Sequence, residues 1–394
     1  MKKYLAELQT LVKTNIRDYG MYIALIVIVM YFNWATNGIF MSARNISNLI
    51  NATGYIAVLA VGMTLIIVIR HIDLSVGFFA GFVGAVVTTL MITYGMHMAV
   101  AIPVVLLMGL AVGILNGLFV AKLGMPAFVV SLAGMLIFRG AIMQVITGTV
   151  MIPNDGFNAI GNGFIYDAVG AVIPVANFHV TTLVLGGVAI VLFILSEMRT
   201  RRARLQYHFE IISKPMFIIK LLLVSGVIAY VSYTLSSFNG LSWTMLIVIA
   251  VVAVYHFVTT KTILGRHIYA IGSNPEAAKL SGINVTKITL VVFGSMGTLS
   301  ALSGVLYASR LQSATVTAGT LFELDAIAAA YVGGVSSAGG LGKVTGSIIG
   351  ALVMASLTNG MNLMGIGLSY QFMVRGGVLL GAVAFDVLSR NRAK

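Results

Sequence analysis

The sequence predicts an all-α polytopic membrane bundle of about twelve crossings, arranged as two inverted repeats with an inserted pair of spans. Three observations predict it. Hydrophobic residues make up 59% of the 394 and charged residues only 9%, a composition of repeated apolar runs rather than of a soluble domain. Most basic residues fall in alternate segments between those runs, as the positive-inside rule requires. Short landmarks of the first half recur in the second on the opposite membrane face, the pattern of an inverted repeat.

In chain order, residues 1–20 place Leu5, Leu8, Val12 and Ile16 on one helical face and Lys2, Lys3, Lys13 and Arg17 elsewhere. That predicts an amphipathic segment along the inner interface. The first apolar run is long and has no small-residue cleavage site, so no removable leader is expected. Residues 21–394 are read as one transmembrane domain. Spans are predicted at 21–40, 46–69, 73–93, 98–121, 127–147, 178–197, 215–237, 242–260, 289–309, 344–363 and 371–388, with a short segment at 322–334. Trp34 sits as an interfacial anchor near the far end of the first. About thirteen residues at 1.5 Å each give the short segment only about 20 Å, less than the roughly 30 Å of hydrocarbon. It is expected to be a broken helix beside a water-filled path, the competing reading being a tilted peripheral half-helix. Counting it gives twelve crossings with both termini on one side.

With the N-terminus inside, twenty of the 24 Lys and Arg fall in inner segments. The net charge of +13 then follows from orientation and needs no nucleic acid. The Arg-rich run 199–204 reads as an inner-face anchor on lipid. The absence of cysteine excludes disulfides and thiolate chemistry, and the six histidines lack ligand spacing, so no metal or cofactor is expected. SAGGLGKV at 337–344 imitates a phosphate-binding loop but lacks its first glycine and its terminal Ser or Thr. No hydrolase motif occurs, no catalytic residue is assigned, and Asp73, Glu323 and Asp325 read as isolated caps of helix N-termini rather than a proton relay.

The repeat pairs residues 46–147 with 289–388. Ile72-Asp73-Leu74-Ser75 opens the third span and Glu323-Leu324-Asp325-Ala326 the short one; Asn116-Gly117 matches Asn359-Gly360; Phe128 and Phe372 follow. Residues 178–237 are left over as an added span pair, expected to be peripheral. Small residues every fourth position (Gly109, Gly113 and Gly117; Gly77 and Gly81; Gly346 and Gly350; Gly377 and Gly381) suit close helix packing. Asn48, Asn51, Asn116, Gln144, Asn359 and Asn362 lie in or beside spans. Amides there are costly unless satisfied, so they mark packing seams or an aqueous path, and their distribution over both halves favours the path.

The polar loop 261–287 carries its own punctuation. Asn274 is an N-cap, Pro275 suits the first helical position, Glu276 complements the dipole, and Gly282 supplies a left-handed stop. A helix this short needs something to dock against. A solvated loop is the plain alternative, and Ala277 with Ala278 favours a small knob that a partner's groove can approach. PEAAKLSGI here resembles the E-A-A-x-x-x-G coupling motif of ABC importer permeases. The surrounding GRHIYAIGSNPEAAKLSGINVTKI is similar to that of ribose/xylose/galactose-type permeases, as are IDLSVG, PAF, ELDAIAAAYVGG and NGMNLMGI. The resemblance implies that Arg266, Gly272, Asn274, Pro275, Glu276, Ala277, Ala278, Lys279, Ser281 and Gly282 couple to cytoplasmic ATP-binding subunits. It further implies a second permease copy, a periplasmic sugar-binding protein and a multi-pass location in the bacterial inner membrane, with both termini cytoplasmic. The cargo would be xylose or several monosaccharides, since the shorter ribose-type members lack residues 178–237. Arg44 and Arg310, on the outer face, are expected to dock the binding protein. An ion-coupled secondary transporter and a membrane enzyme are the competing classes.

Overall fold

The computed structural model describes residues 16–209 and 211–391, so the amphipathic segment expected at the start of the chain lies almost wholly outside the described residues. Fifteen α-helices run through them, and they group into two compact units.

The first unit comprises Met41–Asn48 and Phe164–Ser242. It is built on α7 (Val180–Gln206) and α8 (Lys214–Ser236), numbering the helices in chain order. Gly186 of α7 lets Ser232 of α8 approach so closely that a Cβ there would collide with its hydroxyl. At the other end of the pair, Arg201 Nη1 donates to the Ile212 carbonyl at 2.9 Å and its guanidinium lies over the Phe217 ring. Lys220 meets Glu197 at 2.7 Å. The α7 N-terminus is capped from outside: Asp167 accepts from the Val180 and Thr181 amides at 3.0 and 2.8 Å and from the Thr181 hydroxyl at 2.7 Å. Loss of solvent opposes ionisation of Asp167, but these bonds and one from the Gly170 amide hold its carboxyl well below the usual range. The sequence ends this span at residue 197, yet the helix continues through the Arg-rich run to Gln206. Twenty-seven residues give about 40 Å, so the arginines ride on helix that exceeds the hydrocarbon thickness.

The second unit comprises Arg17–Phe40, Leu49–Gly163 and Trp243–Lys394. Two sets of four helices dominate it: α2 (Ala43–Val68, here from Leu49), α3 (Val76–Ile92), α4 (Met98–Ala121) and α5 (Ala127–Val145), then α12 (Val285–Leu311), α13 (Phe322–Val332), α14 (Val344–Leu363) and α15 (Leu368–Asn391). In each set the second helix is the short one. The remaining helices are α1 (Ile16–Ala35), α6 (Asp155–Asn162), α9 (Trp243–Lys261), α10 (Ile263–Ser273) and α11 (Pro275–Leu280). Among the described residues nine helices are long and apolar enough to cross a membrane, with α1 and α3 shorter but apolar. The chain is a polytopic helical membrane protein.

Glycine decides how these helices meet. A Cβ at Gly109 would lie 2.5 Å from the Gly297 carbonyl oxygen, and one at Gly113 would collide with that of Phe293, so α4 and α12 touch backbone to backbone. Gly77 and Gly81 meet the Ala318–Gly319 backbone in the same way, and Gly346 and Gly350 meet that of Gly333 and Ala329. Gly377 and Gly381 have no neighbour within 4 Å, so the fourth stripe faces away from the rest of the unit. A two-residue ladder pairs Val150–Met151 with Ser313–Ala314 within an otherwise helical fold. One feature departs from the sequence reading. Residues 263–273, expected as loop, form the amphipathic helix α10, capped by the Thr262 hydroxyl.

Candidate functional site

The loop 261–287 folds as its punctuation directs. Asn274 Oδ1 accepts from the Glu276 and Ala277 amides at 3.1 Å each, Pro275 opens α11, and Gly282 adopts φ +83°. Gly282 and Ile283 amides close the turn on the carbonyls of Lys279 and Ala278. Burial then separates the expected coupling residues into two sets. Arg266, Asn274, Glu276, Ala277, Lys279, Ser281 and Gly282 are exposed, and Pro275 is half-exposed. Ala278 is only 4% exposed and joins the main apolar core with Ile268, Ile271 and Val68. Gly272 is likewise buried. Ala278 and Gly272 therefore support the helix from beneath, which corrects the picture of Ala278 as part of an outward knob. The outward apolar group is Leu280, 90% exposed between Lys279 and Ser281. Its signal was in the sequence, a lone leucine in a polar helix, but which face it occupied was not.

A cavity of about 230 Å³ opens in the same unit, at the end of α2 remote from the loop. Its wall is formed by Thr53 and Tyr55 of α2, Asp325 of α13, Met354, Thr358, Asn359 and Asn362 of α14, and Arg375 of α15. Asp325 and Arg375 form an ion pair, and both side chains are about four-fifths covered. Tyr55, Tyr307 and Phe322 pack with ring centroids 4.8–5.0 Å apart behind it. Asn362 is oriented by Gln371, whose Nε2 donates to Asn362 Oδ1 at 2.8 Å. Hydroxyl, amide, guanidinium, carboxylate and aromatic groups thus converge on one water-sized-to-solute-sized space.

Of the six amides singled out from sequence, only Asn359 and Asn362 line this cavity. Asn48 and Gln144 are exposed elsewhere. Asn116 is buried in a seam, its Nδ2 3.4 Å from Ser75 Oγ. Asn51 is buried beside the wall, its Oδ1 without a hydrogen-bond partner among the described residues. The membrane carboxylates keep their expected places at helix starts, but one of them is not isolated. Asp73 does organise the start of α3, accepting from the Ser75 amide at 2.9 Å and hydroxyl at 2.6 Å. Asp325 is instead paired with Arg375, and Glu323 is buried in the first turn of α13. Arg375 had a signal, being an arginine inside a predicted span. Arg310 is not a free outer-face cation: its Nη1 donates to Asn162 Oδ1 at 2.7 Å, and α6 lies against it. Arg44 is exposed.

A family described as "Branched-chain amino acid transport system / permease component" matches residues 45–383. The xylose transport system permease protein of Haemophilus influenzae is 38% identical over 379 residues, covering 96% of this chain and 98% of the relative. That of Escherichia coli K12 is 36% identical over 380 residues, covering 96% and 94%. The ribose import permease protein of Escherichia coli K12 is 33% identical over 364 residues, covering 92% of each. No solved structure matches the chain.

Proposed function

Because the chain belongs to the branched-chain amino acid transport system permease family, we propose that it is the membrane subunit of an ATP-driven, binding-protein-dependent sugar importer, with xylose as the favoured cargo. The observation that carries this reading is identity at 36–38% to xylose permeases across 96% of the chain. The family's name points to amino acids, and what favours a sugar is the identity to xylose and ribose permeases. Thr53, Thr358, Asn359, Asn362 and the Asp325–Arg375 pair give the cavity partners for hydroxyls, beside the apolar Leu49, Ala52, Ile56, Ala351, Met354 and Ala355.

In this reading the chain spans the bacterial inner membrane with both termini cytoplasmic, on the positive-inside argument. Two copies form the translocation unit. ATP-binding subunits seat on Ala277, Leu280 and the surrounding polar residues of α10 and α11. ATP-driven closure displaces this face, and the helices lining the cavity rock between outward- and inward-open arrangements. A periplasmic binding protein delivers the sugar, with Arg44 on its docking rim. The cavity, at the opposite end of α2 from the coupling face, belongs to the outward half of the path. Residues 178–237 lie outside that path.

One observation favours a second reading, an ion-coupled transporter: Asp325 is an ionisable group inside the bundle. Its ion pair with Arg375 gives that carboxylate a structural partner within the bundle, which favours the importer reading. The assembled complex decides between them. Xylose-loaded binding protein is expected to stimulate its ATP hydrolysis and leucine to leave it unchanged. No stimulation by any sugar-loaded binding protein would remove the reading.

A further inference from the structure

Three separate pieces of backbone converge where α2 ends, and all lie in the second unit. Arg70, two residues beyond α2, has φ +66°, a conformation that a non-glycine residue keeps only when its surroundings over-determine it. Its Nε donates to the Gly272 carbonyl at 2.6 Å and its Nη2 to the Ser273 carbonyl at 2.5 Å. Those are the last two residues of α10, whose end leaves carbonyls without helical partners and carries negative dipole charge. The third piece is the loop Gly339–Gly342, the stretch that imitates a phosphate-binding loop. The Gly340 amide donates to the Val68 carbonyl at 2.9 Å, and the Tyr269 hydroxyl of α10 donates to the Gly342 carbonyl at 2.6 Å. Gly339 and Gly340 sit at φ +78° and +71°. A Cβ at Gly272 would collide with the Val68 carbonyl oxygen and lie 2.6 Å from the Gly340 amide nitrogen. Asp386 of α15 anchors the same loop, accepting from the Ser337 amide and hydroxyl at 3.1 Å each.

We propose that Arg70 is a positioning residue that transmits movement of the coupling face to the cavity, by latching the end of α10 to the ends of α2 and of the loop that starts α14. The inference rests on the proposed ATPase-facing role of α11, which begins two residues beyond Ser273. Glycine-only contacts leave no slack at this junction, so α10, α2 and the loop move together. From Val68 to Thr53 is fifteen residues of one helix, about 22 Å, so a tilt imposed at the junction appears at the cavity wall. The loop drives the other wall, because α14 starts at Val344 and carries Thr358, Asn359 and Asn362. Arginine suits the place better than lysine: its fixed fork reaches two carbonyls at once.

The test uses the full complex in proteoliposomes and reads sugar imported per ATP hydrolysed. Arg70→Ala is expected to keep basal hydrolysis and lower that ratio roughly tenfold, as loss of two charge-assisted bonds, one of them exposed, implies. Arg70→Lys is expected to fall between. An unchanged ratio, or hydrolysis and import falling in proportion, overturns the latch. Should Arg70→Ala fail to assemble, Tyr269→Phe removes only the Gly342 bond and reads the same ratio, a fall supporting the junction and no change overturning it. Absence of cysteine allows a direct check with spin labels at Ile263→Cys, exposed at the start of α10, and at Thr358→Cys. With Arg70 intact both labels are expected to shift on ATP binding; with Arg70→Ala only the Ile263 label should. Absence of ATP-driven import in the unaltered complex would instead defeat the importer reading, a separate outcome.

Discussion

Leu280 gives the sharpest test of the coupling face. It is 90% exposed in the isolated chain, so Leu280→Ala should change fold stability by less than about 0.5 kcal/mol. In the assembled complex the same side chain would be covered. Fully burying a leucine contributes about 1.5–3 kcal/mol. An alanine keeps part of that contact, so the assembly should lose about 1–2 kcal/mol, or a factor of roughly 5 to 30 in affinity. The measurement is the dissociation constant of the purified chain in nanodiscs for its ATP-binding subunits, with melting temperature followed alongside. Leu222→Ala serves as control, because Leu222 is also exposed but lies on α8 in the other unit. Affinity lost at Leu280 and kept at Leu222, with both melting temperatures unchanged, is the expected pattern. Wild-type affinity for Leu280→Ala would refute the assignment of the outward face.

Further expectations follow from burial and pairing. Ala278→Glu places an unpaired carboxylate in the core, a change that should cost several kcal/mol, lower the melting temperature and uncouple import even where the chain still inserts. Arg375→Leu should strand Asp325 and cost about 3–5 kcal/mol at most, less here because both groups keep some exposure; Asp325→Leu combined with it should recover most stability without recovering import, which melting and uptake measured together will show. Cysteine at Thr358 or Asn362 should react with water-soluble thiol reagents and be protected by xylose, whereas cysteine at Gln144 should show no protection; equal protection at all three would move the path away from the cavity.

The sequence carried the spans because their apolar runs are long, and it carried α11 because Asn274, Pro275 and Gly282 each supply a separate local signal. It could not say which way Ala278 points. In a helix of six residues the buried face is chosen by the core it meets, here the cluster that holds Ile268 and Ile271 of α10 and Val68 of α2, and nothing within PEAAKL says which side that is. The amides failed as a group for a related reason. Asn362 and Gln144 look alike in sequence, but only Asn362 faces the α2–α14 wall, with Gln371 to hold it. The Asp325–Arg375 pair joins residues fifty apart in sequence, across α13 and α15, which meet only in the tertiary fold. Arg70 left no local trace at all: its φ and its two acceptors are set by tertiary contact. By contrast α6 was legible, since Asn154 before Asp155 is a good N-cap signal, and the Asn154 side chain does accept from the Phe157 amide at 2.8 Å. This helix carries Asn162 to Arg310, a tertiary contact with no trace in the sequence around Arg310.

Energy coupling separates an ATP-driven importer from an ion-coupled transporter, and one measurement decides it. The chain is reconstituted with its ATP-binding subunits and binding protein in vesicles whose ion gradients are collapsed by ionophores, and uptake of labelled xylose is followed with and without ATP. Uptake that requires ATP and is indifferent to the ionophores is the predicted result. Uptake that proceeds without ATP and stops when the ion gradient is collapsed would contradict it.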